Sequence, residues 1–170
     1  MWHTHFYMVS KSIGFVLLFA LSLSADSGAG LHWTPPSAWK AQGSRPMRLD
    51  TYSVGEDAEC GVYYFGQGQG GSVQANLDRW IGQFQQPPQP PKIQHLTVHG
   101  LNVTTVDTSG SYSGMGGPMA SGGAPKPGFR LLGAIADGPQ GSVFFKFTGP
   151  TKTVAAQAAA FEKMVQSLSK

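Results

Sequence analysis

The glycine-rich segment from Gly66 to Gly71 has the G-x-G-x-x-G spacing of a dinucleotide-binding loop. In such loops the amides at the start of a helix meet a pyrophosphate, and an acidic residue about 20 positions downstream holds the ribose. That acidic residue is missing here, because no carboxylate lies between Asp78 and Asp107. No lysine follows the glycines, as a phosphate-binding loop requires. The pattern therefore favours a sharp turn from strand to helix, whose amides can still hold a small anion.

Soft metal ligands also occur in the chain, with Met115 and Met119 following His95 and His99. Thioether and imidazole groups are suitable ligands for copper(I). The two histidines, if they lie on one strand, are roughly 13 Å apart, so they do not form one site together. We therefore predict no metal and no cofactor. The two methionines are predicted instead to pack a loop against the protein surface. A periplasmic copper carrier that uses both methionines and one histidine remains an alternative.

The short motifs of common hydrolases are absent from the sequence: there is no G-x-S-x-G, no H-E-x-x-H and no C-x-x-C. The acidic residues from Glu56 to Glu59 are typical of a solvated turn. Cys60 is the single cysteine, which excludes an internal disulfide, and we predict a buried, inert thiol. We predict no catalytic residues and no enzyme activity. A small extracytoplasmic hydrolase remains an alternative. A catalytic serine beside His95 or His99 would be recognised by its geometry in the fold and not by a sequence motif.

The chain begins with a segment typical of export. Lys11 precedes an apolar run from Ile13 to Leu23, which is too short to span a bilayer and suits a secretory signal peptide. Small residues up to Ala29 offer cleavage points, so residues 1–29 are predicted to be signal peptide and short spacer. Translation starting at Met8 is a further hypothesis, since the first seven residues fit a signal poorly. We predict a periplasmic or extracellular protein with no stable membrane span after cleavage.

The remaining chain is long enough for one compact core, so residues 30–170 are predicted to form a single domain. A strand over 60–66 leads into a helix that starts at Val73 and ends before Pro87, with Ser72 as its N-cap. One helical face carries the apolar residues of this segment, which are Val73, Leu77, Trp80, Ile81 and Phe84.

Strand patterns pair the rest of the chain into hairpins: 47–54 with 60–66, 93–98 with 101–109, and 129–137 with 142–148. In the last strand Val143, Phe145 and Phe147 point inward and Lys146 faces out. A final helix is capped by Thr153, and residues 109–128 form a long glycine- and proline-rich loop. Trp33 and Trp39 are predicted to pin the entry segment to the core. This order predicts an α+β protein, with an antiparallel sheet of about six strands and two main helices packed on it.

Several short words of the sequence resemble the PsbP-like fold. They are P-x-x-W at 36–39, Gly100-Leu101 at a strand start, T-G-P at 148–150, and Ser167-Leu168 at the end of a helix. This superfamily includes the lumenal extrinsic subunit of photosystem II and DcrB-like bacterial envelope lipoproteins. The words GQGGSVQANLDRWIGQF and GPTKTV are similar to an uncharacterised family of secreted bacterial proteins. The chain departs from the DcrB-like lipoproteins because it lacks their lipidated cysteine.

The resemblance covers residues 31–170 and implies an accessory or binding protein rather than an enzyme. We therefore expect a non-catalytic exported protein of the bacterial cell envelope, with an unknown protein or small ligand as its partner. The basic residues are scattered along the chain, so no nucleic-acid partner is expected. The glycine turn and the long loop supply the predicted ligand or partner surface: Gly68, Gly70, Gly71, Ser72, Tyr112, Met115 and Met119.

Overall fold

The computed structural model describes residues 25–114 and 124–170. Strands and helices alternate in the predicted order of hairpin, helix, hairpin, long connection, hairpin, helix, and short strands are added to it. The elements are β1 (Asp26–Gly28), β2 (Leu31–Trp33), β3 (Lys40–Ala41), β4 (Arg48–Val54), β5 (Ala58–Tyr63), α1 (Val73–Ile81), β6 (Phe84–Gln85), β7 (Lys92–Val98), β8 (Leu101–Tyr112), β9 (Lys126–Gly138), β10 (Gly141–Pro150) and α2 (Thr151–Gln166).

Eight strands form one antiparallel sheet in the order β3-β4-β5-β10-β9-β8-β6, and β7 also pairs with β8. Strands β1 and β2 form a separate hairpin. The predicted α+β class is therefore confirmed, as is each of the three long hairpins. The expected number of about six strands in the sheet is too low, because the short strands β3 and β6 hold too few residues to show an alternating pattern.

Both faces of the sheet are covered. Val143, Phe145 and Phe147 of β10 join the large cluster that α2 completes through Val154 and Phe161. The residues between them on β10 point to the opposite face, where a second cluster packs beneath α1. This second cluster contains Leu77, Trp80, Phe84, Val106, Leu131, Ile135 and Phe144. The central strands are therefore buried on both sides, and the sheet forms one wall of a cavity beside α1.

Because α1 covers its face of the sheet, the expectation that Lys146 faces solvent is wrong: the side chain is only 9% exposed. The predicted cap of the last helix is also wrong. Helix α2 begins at Thr151 with Pro150 in the N-cap position, and the hydroxyl of Thr153 donates instead to Asp57 Oδ1 at 3.2 Å.

The first helix begins where the sequence predicts, and Ser72 Oγ accepts a hydrogen bond from the Ala75 amide at 3.2 Å. The helix ends at Ile81, earlier than the prolines require, because Gly82 occupies the C-cap. Phe84 therefore lies on β6 rather than on the helix, and it reaches the same apolar cluster from there.

Aromatic residues hold the first described segment against the core, as predicted. Trp33 and Trp39 are buried, and Trp33 Nε1 donates to the Tyr52 hydroxyl at 2.8 Å. That hydroxyl donates in turn to Asp26 Oδ2 at 2.5 Å. Strand β1, which contains Asp26, falls within the residues predicted as signal peptide and spacer.

The long connection is shorter than predicted at both ends, because β8 continues to Tyr112 and β9 starts at Lys126. Cys60 is fully buried on β5, and this burial raises the pKa of its thiol, in agreement with the predicted inert cysteine. Within 25–114 and 124–170, neither helix is long and apolar enough to cross a membrane.

Candidate ligand-binding pocket beside helix α1

A cavity of about 270 Å³ opens between α1 and the face of the sheet that α1 covers. Its walls come from the segment that enters β4, from the end of β5, from α1 and from β10. Aromatic rings and three cationic side chains dominate the lining, and no lining residue is acidic. The lining residues are Pro46, Met47, Arg48, Tyr63, Phe65, Asn76, Arg79, Trp80, Phe144 and Lys146.

Two glycines make room for two of the rings that line this pocket. Lys146 pairs in register with Gly61 on one side and with Gly133 on the other. A Cβ atom at Gly61 would lie 2.7 Å from the ring of Tyr63, and one at Gly133 would lie 2.6 Å from the ring of Trp80. The two rings therefore occupy the space that side chains would fill, one on each side of the lysine.

The ammonium group of Lys146 is held without a carboxylate. Its Nζ donates to Gln83 Oε1 at 2.6 Å and lies 5.7 Å from the centre of the Tyr112 ring. Every acidic residue of the chain lies in the described ranges, and none forms an ion pair with this lysine there. Burial lowers the pKa of Lys146 to about 8, and the nearby charges of Arg79 and Arg48 act in the same direction.

The second cation of the pocket, Arg79, also pairs with a neutral group, because its guanidinium donates to the side-chain oxygen of Asn76. The amide nitrogen of Asn76 donates to the carbonyl oxygens of Gly70 and Ser72, both at 2.8 Å. Asn76 is itself 2% exposed. The buried asparagine therefore fixes the position of the arginine relative to the glycine turn.

The third cation, Arg48, has a carboxylate partner. Its Nη1 lies 2.6 Å from Glu59 Oε1, and its guanidinium carbon lies 5.0 Å from the centre of the Tyr63 ring. Three cations thus share one carboxylate around the cavity, so about two positive charges are left without an opposite charge when Lys146 is protonated. A site with this balance favours an anion.

The glycine turn, predicted as a binding surface, lies beside this pocket and packs against two of its lining rings. Gly70 has φ +91°, and a Cβ there would lie 2.9 Å from Phe65 and 3.1 Å from Phe144. Gly70 and Gly71 also line a shallow depression beside the pocket. Gly68 lies at the exposed tip of the turn, and Ser72 is occupied as the helix cap.

Tyr112 lies on the other side of Lys146 from the glycine turn. Its ring stacks on Phe129 with 5.7 Å between centroids and packs against Phe84 at 5.1 Å. Burial raises the pKa of its phenol. The structure therefore brings the glycine turn and Tyr112 to the same face of the sheet, around the lysine. Met115 and Met119, the other two predicted surface residues, lie outside the described residues.

His95 of β7 and His99, which follows that strand, make their contacts away from this pocket. His95 Nδ1 lies 3.1 Å from Thr104 Oγ1, and His99 Nδ1 lies 2.8 Å from the carbonyl oxygen of Leu168. In the part of the chain that the structure describes, His, Cys, Asp and Glu side chains form no group of three that could hold a metal ion.

The cationic residues of the pocket were missed in the sequence because they come from separate strands and a helix. The one local signal is Lys146 itself, a charge placed between Phe145 and Phe147 in an otherwise apolar run. A charged residue in such a run indicates either that this face of the strand is exposed or that it is covered and the charge has a function. Which of the two interpretations holds depends on where α1 packs.

Comparison with solved structures gives the fold. The solution structure of cyanobacterial PsbP (CyanoP) from Synechocystis sp. PCC 6803 is 12% identical in sequence, with a TM-score of 0.55. The match covers 94% of this chain and 97% of that chain. This chain has the PsbP-like fold. The resemblance seen in the short sequence words is thereby confirmed, and at this identity it extends to the fold alone.

A second structure is similar to the PsbP-like chain over a shorter part. It is the crystal structure of a protein of unknown function, PA94 from Pseudomonas aeruginosa, described as a putative regulator. It is 13% identical, has a TM-score of 0.45, and the match covers 86% of this chain and 96% of that chain. No protein-family model matches the sequence, and no curated protein matches it either.

Proposed function

We propose that this PsbP-like chain is a non-catalytic, exported accessory or binding protein of the cell envelope, and that the pocket beside α1 is where it binds. The observation that carries the proposal is the pocket itself. Its walls are aromatic, its cations converge, and two of these cations, Arg79 and Lys146, have neutral hydrogen-bond partners. Concave, mostly apolar sites with a few convergent polar groups are the usual form of a ligand site.

The kinds of side chain in the pocket support binding over catalysis. Rings and cations hold and orient a ligand, and Lys146 is already hydrogen-bonded to Gln83. A hydrolase of the type considered above would need a histidine beside a serine. His95 instead contacts the hydroxyl of Thr104 on β8, and His99 contacts the backbone carbonyl of Leu168 near the end of the chain.

A photo-crosslinking experiment tests whether the pocket is the binding site. A benzophenone amino acid is placed at Met47, which lines the pocket and is 68% exposed, and in a second variant at Ile93, which is 40% exposed on β7. Cells that express each full-length variant are irradiated, and the protein is analysed by intact mass. We expect an adduct of defined mass from position 47 and none from position 93. No adduct at position 47, or the same adducts at both positions, would contradict the proposal.

A further inference from the structure

We infer that the pocket beside α1 binds a small organic anion with an aromatic body, namely an aromatic carboxylate. The carboxylate would lie between Lys146 and Arg79, and the ring would lie against Trp80 and Phe144. This inference rests on the proposed function and adds the chemical class of the ligand. It is argued from charge, from the shape of the walls and from the way the sheet builds the site.

The charge of the pocket is arranged for an anion. Lys146 is buried, so its charge costs desolvation energy, and the nearby charge of the exposed Arg79 repels it. Lys146 and Arg79 are each held by an amide oxygen, from Gln83 and Asn76, which leaves their charges without a counter-charge. A carboxylate between them would offset the repulsion and the desolvation of Lys146, and it matches the forked geometry of the Arg79 guanidinium.

The apolar walls fit a flat ring. Phe144 has Phe65 at 5.5 Å on one side and Trp80 at 6.4 Å on the other, both nearly edge-on to it. Phe65 is 37% exposed although it belongs to this aromatic group, so part of its ring surface is left for a ligand. A volume of about 270 Å³ lies just below the sizes usual for small-molecule sites. The ligand is therefore small, on the scale of one bicyclic ring with a short acidic arm.

Several features of the sheet are specific to this site. Gly61 and Gly133 flank Lys146 in register, and Tyr63 and Trp80 fill the space above them. A structural lysine would need none of these features, because a methionine of similar length would bury more apolar surface there without the charge. The protein is therefore less stable than it would be with a methionine at this position. Such a loss of stability is common where side chains are kept for binding.

Two probes of the same shape measure the preference for charge. Indole-3-acetate carries a carboxylate and indole-3-acetamide replaces it by a neutral amide, so the pair differs only in the group that Lys146 and Arg79 would contact. Binding to the purified full-length chain is measured by isothermal titration calorimetry at pH 7. We expect the acetate to bind at least about tenfold more tightly than the amide, as one charge-assisted hydrogen bond implies.

Matched variants locate the preference in the pocket. In Lys146→Met and in Arg79→Gln the acetate should bind at least about tenfold more weakly, with little change for the amide. In the control Lys152→Gln, which removes an exposed cation from α2 on the opposite side of the sheet, both affinities should stay as in the wild type. Melting temperatures of all variants show that each one is folded when it is titrated.

The outcomes separate the ligand class from the binding role. Equal affinities for the two probes, or no binding of either, would overturn the aromatic carboxylate, even if the crosslinker at Met47 still captures an adduct. Acetate binding that Lys146→Met and Lys152→Gln weaken equally would overturn the placement in this pocket. The proposed function is tested by a separate measurement, the crosslinking experiment, and the absence of an adduct at position 47 would overturn it.

Discussion

Lys146 is a cation that the fold buries among groups from every neighbouring element. Burial lowers its pKa, and Arg79 of α1 and Arg48 of β4 lower it further, while the rings of Tyr63 on β5 and Tyr112 on β8 face it. Glu59 of β5 lines the adjoining cavity, where it is paired with Arg48. The folded chain therefore holds this proton less tightly than the unfolded chain does.

Removing this charge should stabilise the protein in a pH-dependent way. The pKa of Lys146 falls from 10.5 to about 8 on folding. Between these values the unfolded chain binds the extra proton, so the free energy of unfolding rises with pH, and below pH 8 the full penalty is present. We expect Lys146→Met to raise the free energy of unfolding by about 1–3 kcal/mol at pH 7, after the lost hydrogen bond to Gln83 is counted.

Urea unfolding at pH 7 and at pH 10 measures this effect. The advantage of Lys146→Met should shrink as the pH rises from 8 towards 10.5, because the folded wild-type amine is then neutral and the unfolded amine begins to lose its proton. The exposed Lys152→Met provides the control and should change the free energy of unfolding little at either pH. A Lys146→Met variant whose difference from the wild type is the same at both pH values would contradict the assigned cause.

Helix α1 packs closely against the sheet at one point, where the ring of Trp80 lies over Gly133. The Trp80 ring lies where a Cβ at Gly133 would be, and Val106 is 2.9 Å from the same point. Gly133→Ala should therefore lower the free energy of unfolding by about 1–3 kcal/mol through overpacking. The loss should be smaller in a Trp80→Leu background, where the ring is gone, and urea unfolding of the four proteins gives this coupling. Strictly additive effects would show that the glycine is needed for another reason.

The start of α1 depends on its cap. Ser72 Oγ accepts from the Ala75 amide, and the buried Asn76 ties the same turn to Gly70. Ser72→Ala should lower the free energy of unfolding by about 1 kcal/mol, because an amide of the first turn loses its acceptor. Ser72→Asp keeps an acceptor and should restore most of the stability. If both variants lose the same amount, the hydroxyl acts through something other than capping.

At the scale of the whole molecule, the elements were predictable and the pocket was not. Each long hairpin has alternating apolar residues and a turn such as His99-Gly100, all close together in sequence. The pocket instead depends on which strand lies beside which. The row Gly61, Lys146 and Gly133 exists because β10 lies between β5 and β9, and β5 is distant in sequence from both. Sequence patterns predict faces of elements, and they do not predict such a register across a sheet.

Strand β1 limits where the proposed signal peptide could be removed. Asp26 of β1 accepts from the Tyr52 hydroxyl, which accepts from Trp33, so this chain of hydrogen bonds ties β1 and β2 to the sheet. A signal peptidase that cut after Ala29 would remove β1 and leave the buried Tyr52 hydroxyl without its acceptor. Unsatisfied buried polar groups cost about 1–3 kcal/mol each. We therefore expect cleavage after Ser24 or Ala25, which keeps Asp26 in the mature chain.

N-terminal sequencing of the protein recovered from the periplasm or the medium measures the cleavage point directly. A mature chain that starts at Ala25 or Asp26 agrees with the structure, and one that starts at Gly30 would show that β1 is dispensable. Asp26→Ala in the exported protein gives a second test of the same contact. It should lower the melting temperature, whereas Asp137→Ala, which removes an exposed acid that accepts a hydrogen bond from Ser142, should not. Equal melting temperatures for the two variants would mean that the tether of β1 contributes nothing to folding.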